Sequence, residues 1–191
     1  MTELFVLRPT ISPWGDYGEI LQHGIANIVD GRLALERTGP FVPAISFPPP
    51  GIVVTDATKQ ALALCRFTGL EFNEVVKRRI VRVDWHQWNA DNDAPAVYPD
   101  GGEPENYVHG QRHDAALADT LGALWEVSMR ESPGLQIEGS SEIDLAHYGG
   151  QDLVQGSRWG YKYVTPRLRA WLESNVGDWV RFERCKVHGA A

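Results

Sequence analysis

Three histidines, His86, His109 and His113, stand among a dense run of carboxylates: Asp84, Asp91, Asp93, Asp100, Glu103, Glu105, Asp114 and Asp119. Imidazoles four residues apart share one face of a helix, so His109 and His113 have the spacing of a metal-binding pair. The glutamate that would follow the first histidine as general base is missing, and Gly110 interrupts the helix the pair needs. A small metal-dependent hydrolase using His109, His113 and the neighbouring carboxylates is therefore the alternative reading, not the first one. The stretch "DNDAPAVYPDGGEPENY" at 91–107 also fails as a calcium loop, because its acidic residues do not fall at alternate positions and prolines take ligand places. No G-x-S-x-G elbow, phosphate-binding glycine loop or dinucleotide fingerprint occurs, and Cys65 falls on an apolar helical stripe where a thiol serves packing. These residues predict a protein that is not an enzyme and holds no metal or cofactor.

The same segment offers charge beside aromatic rings. From Asp84 to Asp119 the eight carboxylates meet one cation, Arg112, so this window alone carries −7, the net charge of the whole 191-residue chain. The basic run "VVKRRIVRV", with Lys77, Arg78, Arg79 and Arg82, precedes it directly. A concentrated negative field repels phosphate, which argues against nucleic acid and for a cationic protein surface. Trp85, Trp88, Tyr98 and Tyr107 bracket the acidic run. Protein interfaces combine aromatic anchors with a charged rim, and prolines lower the entropy lost on docking. The predicted partner-binding residues are Trp88, Asp91, Asp93, Tyr98, Asp100, Glu103, Glu105 and Tyr107, with Trp85 assigned to the core. The competing reading of the loop is a solvated acidic surface that keeps the chain soluble.

The elements that must carry this loop read as follows. "LFVLRP", "PWGDYG" and "RLALERTG" predict short strands, the last following an Asp30-Gly31 turn. "FPPPG" at 47–51 reads as a stiff linker between an N-terminal β-rich segment, 1–50, and an α+β body, 51–191. In the body, "GIVVT" predicts a strand, 57–66 a helix, "RIVRV" a strand, and the leucine spacing over 113–130 a longer helix. Cys65 and Cys185 lie too far apart for a zinc ribbon or a disulfide framework and are expected as free thiols. "MTELFVLRPT" lacks the apolar run of an export signal, and no stretch approaches the ~18 apolar residues of a membrane span, so a cytoplasmic location without membrane contact is expected.

An internal echo organises the body. "VTDATKQALALCRFTGLEFNEV" from Val54 and "VTPRLRAWLESNVGDWVRFERC" from Val164 match at Val-Thr, at Leu62 and Leu172, at Phe72 and Phe182, and at Val75 and Cys185. Each predicts a strand, a helix capped by Thr55 or Thr165, and a second strand, with Pro166 opening the second helix. The expected fold class is α+β: two similar strand-helix-strand units, about 52–84 and 160–188, packed on a mixed or antiparallel sheet in one compact domain.

The runs "IVVTDATKQALALCRFTGLEFNEVVKRRIVRVDW" and "YVTPRLRAWLESNVGDWVRFERCKV" resemble the strand, Val-Ser/Thr, helix, Gly, Phe, strand element of predicted immunity proteins from bacterial polymorphic-toxin and type VI secretion systems. The resemblance covers 52–85 and 163–187 and includes no catalytic signature. Relatives with paired Cys-x-x-Cys zinc motifs are departed from here, so no structural zinc is carried over. The resemblance implies a cytoplasmic antidote that binds a cognate toxin and blocks its active site, the acidic loop meeting a basic toxin surface. An adaptor or chaperone-like binding module is the remaining alternative.

Overall fold

The computed structural model describes residues 2–10, 14–84, 89, 92–137, 142–157 and 160–188. β1 (Phe5–Pro9) is followed by α1 (Asp16–His23) and by the antiparallel pair β2 (Ile25–Val29) and β3 (Arg32–Gly39). Asp30 and Gly31 join that pair with φ of 50° and 75°, the backbone a two-residue hairpin turn requires. β4 (Ile45–Ser46), β5 (Val53–Thr55), α2 (Asp56–Leu64), β6 (Leu70–Glu74) and β7 (Val76–Arg82) come next. Two short helices, α3 (Pro104–Gly110) and α4 (Ala115–Thr120), precede β8 (Leu124–Met129). β9 (Glu142–Ile143), β10 (Leu153–Gln155), β11 (Lys162–Val164), α5 (Pro166–Val176), β12 (Val180–Arg184) and β13 (Lys186–Val187) complete the order. The class is α+β, with helices beside mixed and antiparallel sheets, as the sequence predicts.

Three local expectations are corrected. "PWGDYG" turns at Trp14 and Gly15 and then enters α1 instead of a strand. The proline run at 47–51 is the turn of a hairpin, because β4 and β5 pair through Ile45↔Val54 and Ser46↔Val53; it separates no lobes. The helix expected over 113–130 stops at Thr120, and Leu124–Met129 is strand. Its leucine spacing spans a break at Gly122, whose φ of 66° ends the helix. Leu117 packs with Ile80 and Ala118, whereas Leu124 packs with Leu33, Leu35, Val53 and Val75.

The chain forms two units, one of Met1–Thr10, Gln60–Phe72 and Val127–Ala191, the other of Ile11–Lys59 and Asn73–Glu126. Residue 50, the expected boundary, falls inside the second unit, and β1 belongs to the first. Long-range strand pairing outweighs the local stiffness of the prolines in setting the division.

Two four-stranded sheets repeat one plan, with orders β4-β5-β8-β6 and β10-β11-β1-β12. In each, a hairpin strand (β5 or β11) leads through a helix (α2 or α5) to a strand two places away (β6 or β12). A strand from a distant part of the chain fills the gap. Val54 pairs with Trp125 just as Val164 pairs with Phe5. Thr55 N–H donates to Ala44 O at 3.2 Å and Thr165 N–H to Asp152 O at 3.0 Å; Val75 N–H donates to Leu124 O at 2.9 Å and Cys185 N–H to Leu4 O at 3.0 Å. The predicted caps recur as well, Thr55 Oγ1 accepting from Thr58 N–H and Thr165 Oγ1 from Leu168 N–H, both at 3.4 Å. After the helix-strand step each copy adds a parallel pair, β3 with β7 and β9 with β13, through Leu35↔Lys77 and Ile143↔Val187.

The apolar cores agree at four positions. Leu35, Val53, Val75 and Leu124 in one correspond to Ile143, Tyr163, Cys185 and Leu4 in the other. The echo seen from Val54 onward therefore extends upstream, to Leu4-Phe5-Val6-Leu7 and Leu124-Trp125-Glu126-Val127. β1 opens the first copy and β8 the second, yet β1 lies in the sheet of β10, β11 and β12, and β8 in that of β4, β5 and β6. The opening strands are exchanged.

Candidate functional site

Against this duplicated frame, the parts present once stand out. In the second copy the antiparallel bridge Gln136↔Ile143 stands where Ala26↔Leu35 pairs in the first, and 138–141 beside it lie outside the described residues. α1 has no counterpart among the described residues, and neither does the connector 83–123, which holds the acidic run and α3 and α4.

The sequence fixes the connector to the edge strand β7. Tyr107 Oη donates to Arg82 O at 2.8 Å, Arg79 Nη1 to His109 O at 2.6 Å, and Asp114 N–H to Ile80 O at 2.9 Å, while His113 Nδ1 accepts from Ile80 N–H at 3.0 Å. These bonds cover backbone groups that an edge strand would otherwise expose. Lys77 donates to Gly122 O at 3.0 Å and to Ala118 O, placing a cation at the C-terminal end of α4. At the other end, Asp114 Oδ1 accepts from Leu117 N–H at 2.9 Å. That bond, then Arg82, holds the Asp114 carboxyl below its usual range. Glu36 on β3, 4% exposed at its side chain, meets Arg78 at 3.3 Å, Arg79 at 3.9 Å and His109 at 3.3 Å. The basic run is thus engaged in holding α3 and α4 in place.

On this base, Asp93, Asp100, Glu103 and Glu105 are exposed and Tyr98 is 54% exposed, beside Val97 at 63%. Trp88 and Asp91 lie outside the described residues, as do His86 and Trp85. Tyr107 corrects its expected role as a surface anchor. It is 9% exposed and packs with Leu21, Val81 and Val108, because its hydroxyl reaches Arg82 O only from beneath the connector.

A cavity of about 260 Å³ opens beside these residues. Its walls include the rings of Trp14, Tyr98 and Tyr107, the prolines Pro95 and Pro99, and the carboxylates Asp84 and Asp100. Its described lining residues come from 14–21 and 83–111, in or next to the elements that are not duplicated. Trp14 Nε1 donates to Asn92 O at 3.1 Å, and Tyr17 Oη donates to Gly102 O, tying the connector to the segment around α1. Tyr17 and Tyr98 stack edge to face with centroids 5.2 Å apart. Burial pushes the Tyr107 hydroxyl up, and the Asp100 carboxylate adds to the shift. Sequence reasoning missed Trp14 and Tyr17. Their partners lie 78 and 85 residues away, beyond any local pattern, although a lone Trp-Gly before a helix was the available signal.

The metal pair of the alternative reading is not assembled. α3 ends at Gly110, so His109 and His113 share no helix; His109 faces Glu36 and His113 Nδ1 is taken by Ile80 N–H. Among the described residues no three His, Cys, Asp or Glu side chains are grouped to hold a metal ion. Cys65 and Cys185 are free and half-buried, and burial pushes the Cys185 thiol up to about 11, which makes it a poor nucleophile. No helix of the described residues is long and apolar enough to cross a membrane. Comparison with protein-family models, with curated proteins and with solved structures returns no match to this chain.

Proposed function

We propose that this chain is a cytoplasmic immunity protein, without catalysis of its own, which binds a cognate secreted toxin domain and blocks its active site. The observation that carries the reading is the connector itself. Exposed Asp93, Asp100, Glu103 and Glu105 and the exposed Tyr98 ring lie on a segment with no Lys or Arg from 89 to 108, held from below by β7. A pre-ordered acidic surface with an aromatic anchor suits a basic toxin cleft, where negative side chains occupy the field meant for a phosphate-bearing substrate. A standard interface of about 1,600 Å² exceeds what this segment offers alone, so neighbouring surface joins the contact.

The test is co-expression with the product of the adjacent reading frame, which this reading expects to end in a toxin domain. Growth rescue and co-purification are expected, and the triple variant Asp93→Lys, Asp100→Lys, Glu103→Lys should slow association by about tenfold or more at low salt. Unchanged association kinetics in that variant would remove the connector from the interface.

A further inference from the structure

We infer that β2 pairs with the β2 strand of a second copy of this chain, antiparallel about Asn27, so that a weak symmetric dimer joins two sheets edge to edge. β2 is an outer strand of the sheet β2-β3-β7, and its one strand partner is β3. The Asp30-Gly31 hairpin closes on Val29↔Arg32, so Val29, Asn27 and Ile25 direct their backbone groups at β3. Ala26 and Ile28 therefore direct theirs outward. Gly24, next in that series, spends its N–H on Ile20 O at 2.8 Å, whereas no bond among the described residues takes the N–H or C=O of Ala26 or Ile28. Asn27, Ile28 and Val29 are exposed, both aliphatic side chains at 41%, so the outer half of the strand is uncovered.

Sheet edges are ordinarily blunted by charge, proline, a bulge, brevity or a cover. The other edges follow that rule. The connector covers β7, β6 carries Glu71 and Glu74, β12 carries Arg181, Glu183 and Arg184, and β4, β9, β10 and β13 are two or three residues long. β2, Ile-Ala-Asn-Ile-Val, has no charge and no proline.

The occupant is specified by the strand itself. With Asn27 opposite Asn27, Ala26 meets Ile28 and Ile25 meets Val29, apolar against apolar on both faces, while the two carboxamides face each other. In that register the outward groups of Ala26 and Ile28 exchange hydrogen bonds reciprocally. A slip of one residue would oppose outward groups to inward ones. A slip of two would bring in Gly24, whose N–H is taken, or Asp30, whose φ of 50° belongs to the turn. The contact is the same patch on both copies and closes on itself. One pair of five-residue strands buries less than a standard interface and each copy carries −7, so the dimer is weak and tightens as salt screens that charge.

The experiment follows the isolated ¹⁵N-labelled chain up to about 1 mM by sedimentation equilibrium and amide hydrogen exchange. A monomer–dimer equilibrium is expected, with the amides of Ala26 and Ile28 slowing as concentration rises while those of Asn27 and Val29, already bonded to β3, change little. Ile28→Pro removes an outward N–H and leaves the bonds to β3, and Asn27→Lys sets like charges across the twofold axis; each should weaken association by about tenfold or more. Both positions are exposed. An equimolar mixture of Asn27→Lys and Asn27→Asp should restore the association that each variant loses alone, a recovery that misfolding cannot produce. A chain monomeric at about 1 mM, or protection gained at Asn27 and Val29 instead of Ala26 and Ile28, overturns the pairing. No recovery in the mixture overturns the register about Asn27. Protection of Ala26 and Ile28 that arises only with a co-purified protein assigns the edge to a strand of that partner and overturns the pairing of copies. No toxin enters the measurement on the isolated chain, so its failure leaves the immunity reading standing.

Discussion

The two copies share a backbone plan and part company in their polar residues. Ala44 in the first corresponds to Asp152 in the second, since each carbonyl accepts from the threonine that opens the following helix. Asp152 then does what an alanine cannot. Its carboxylate accepts from Thr68 N–H at 2.9 Å, Thr68 Oγ1 at 3.1 Å and Thr165 Oγ1 at 2.8 Å, and from Arg167 Nε at 3.2 Å and Nη2 at 2.6 Å. The first copy spends its polar residues elsewhere. Lys77, Arg79 and Arg82 on β7 bond the connector, while the matching strand β13 runs only from Lys186 to Val187. Core positions and pairing register thus persist where the plan needs them, and polar positions are free to diverge. One copy has turned them into an internal clamp, the other into a platform for the cavity.

The exchange of opening strands is the feature most exposed to disproof, and breaking it has the largest expected effect. Val6, 1% exposed on β1, lies between β11 and β12, so Val6→Asp places a carboxylate in the core of the sheet containing β10 to β12. A loss of about 4 kcal/mol or more is expected, enough to unfold that sheet. Hydrogen exchange should show β11 and β12 losing protection before β3 and β7. The reciprocal change, Leu124→Asp on β8, should reverse the order, because Leu124 packs with Leu33, Leu35, Val53 and Val75. If Val6→Asp released β3 and β7 first, β1 would not belong to the sheet assigned to it.

That exchange also marks where the sequence became illegible. The strand-helix-strand echo could be read because its signals are local: Val-Thr caps, Pro166 at a helix start, leucines at helical spacing. The match of Leu4-Phe5 with Leu124-Trp125 is just as real, but two residues carry little weight until Phe5 and Trp125 are seen to pair with equivalent valines. Likewise the acidic run was visible as composition, and the exposure of Asp93, Asp100, Glu103 and Glu105 follows from charge alone. The cavity was not visible. It depends on Trp14 reaching Asn92 and on Tyr107 turning inward, long-range events that neither propensity nor periodicity encodes.

The clamp gives an intermediate effect and a pH signature. Burial alone would raise the Asp152 pKa, but Arg167, the Thr68 N–H, and the Thr165 and Thr68 hydroxyls hold it down at about 2. A group depressed in the folded state stabilises above its unfolded pKa of about 3.9 and loses that contribution as pH falls toward the folded value. Stability should therefore drop between about pH 4 and pH 2, and Asp152→Ala should flatten that part of the profile. At neutral pH the same change should cost about 2–3 kcal/mol, since Thr68 and Thr165 lose their acceptor. Urea titrations at several pH values read both quantities. Introducing the acid at the matching position, Ala44→Asp, should bring no such gain, because Ala57 stands where Arg167 would have to be.

The smallest effect tests whether the equivalence reaches individual side chains. Lys59 Nζ lies 3.7 Å from the Trp125 ring centroid, and Arg169 Cζ lies 4.4 Å from that of Phe5, with Lys59 and Arg169 at the same turn of the two helices and the rings at the same place on the exchanged strands. Cation–π pairs at partly exposed sites contribute about 0.5–1 kcal/mol. Lys59→Met should cost about that much. Arg169→Met should cost somewhat more, because Arg169 also meets Glu173 at 2.8 Å and Phe182 at 5.7 Å. Single variants mix these contributions, so the informative measurement is a double-mutant cycle by urea denaturation, Lys59→Met with Trp125→Leu and Arg169→Met with Phe5→Leu. Similar coupling in the two cycles would extend the duplication from backbone register to side-chain chemistry. A coupling present in one and absent in the other would confine it to the backbone and the apolar core, with the two cation–ring pairs arising separately on a shared frame.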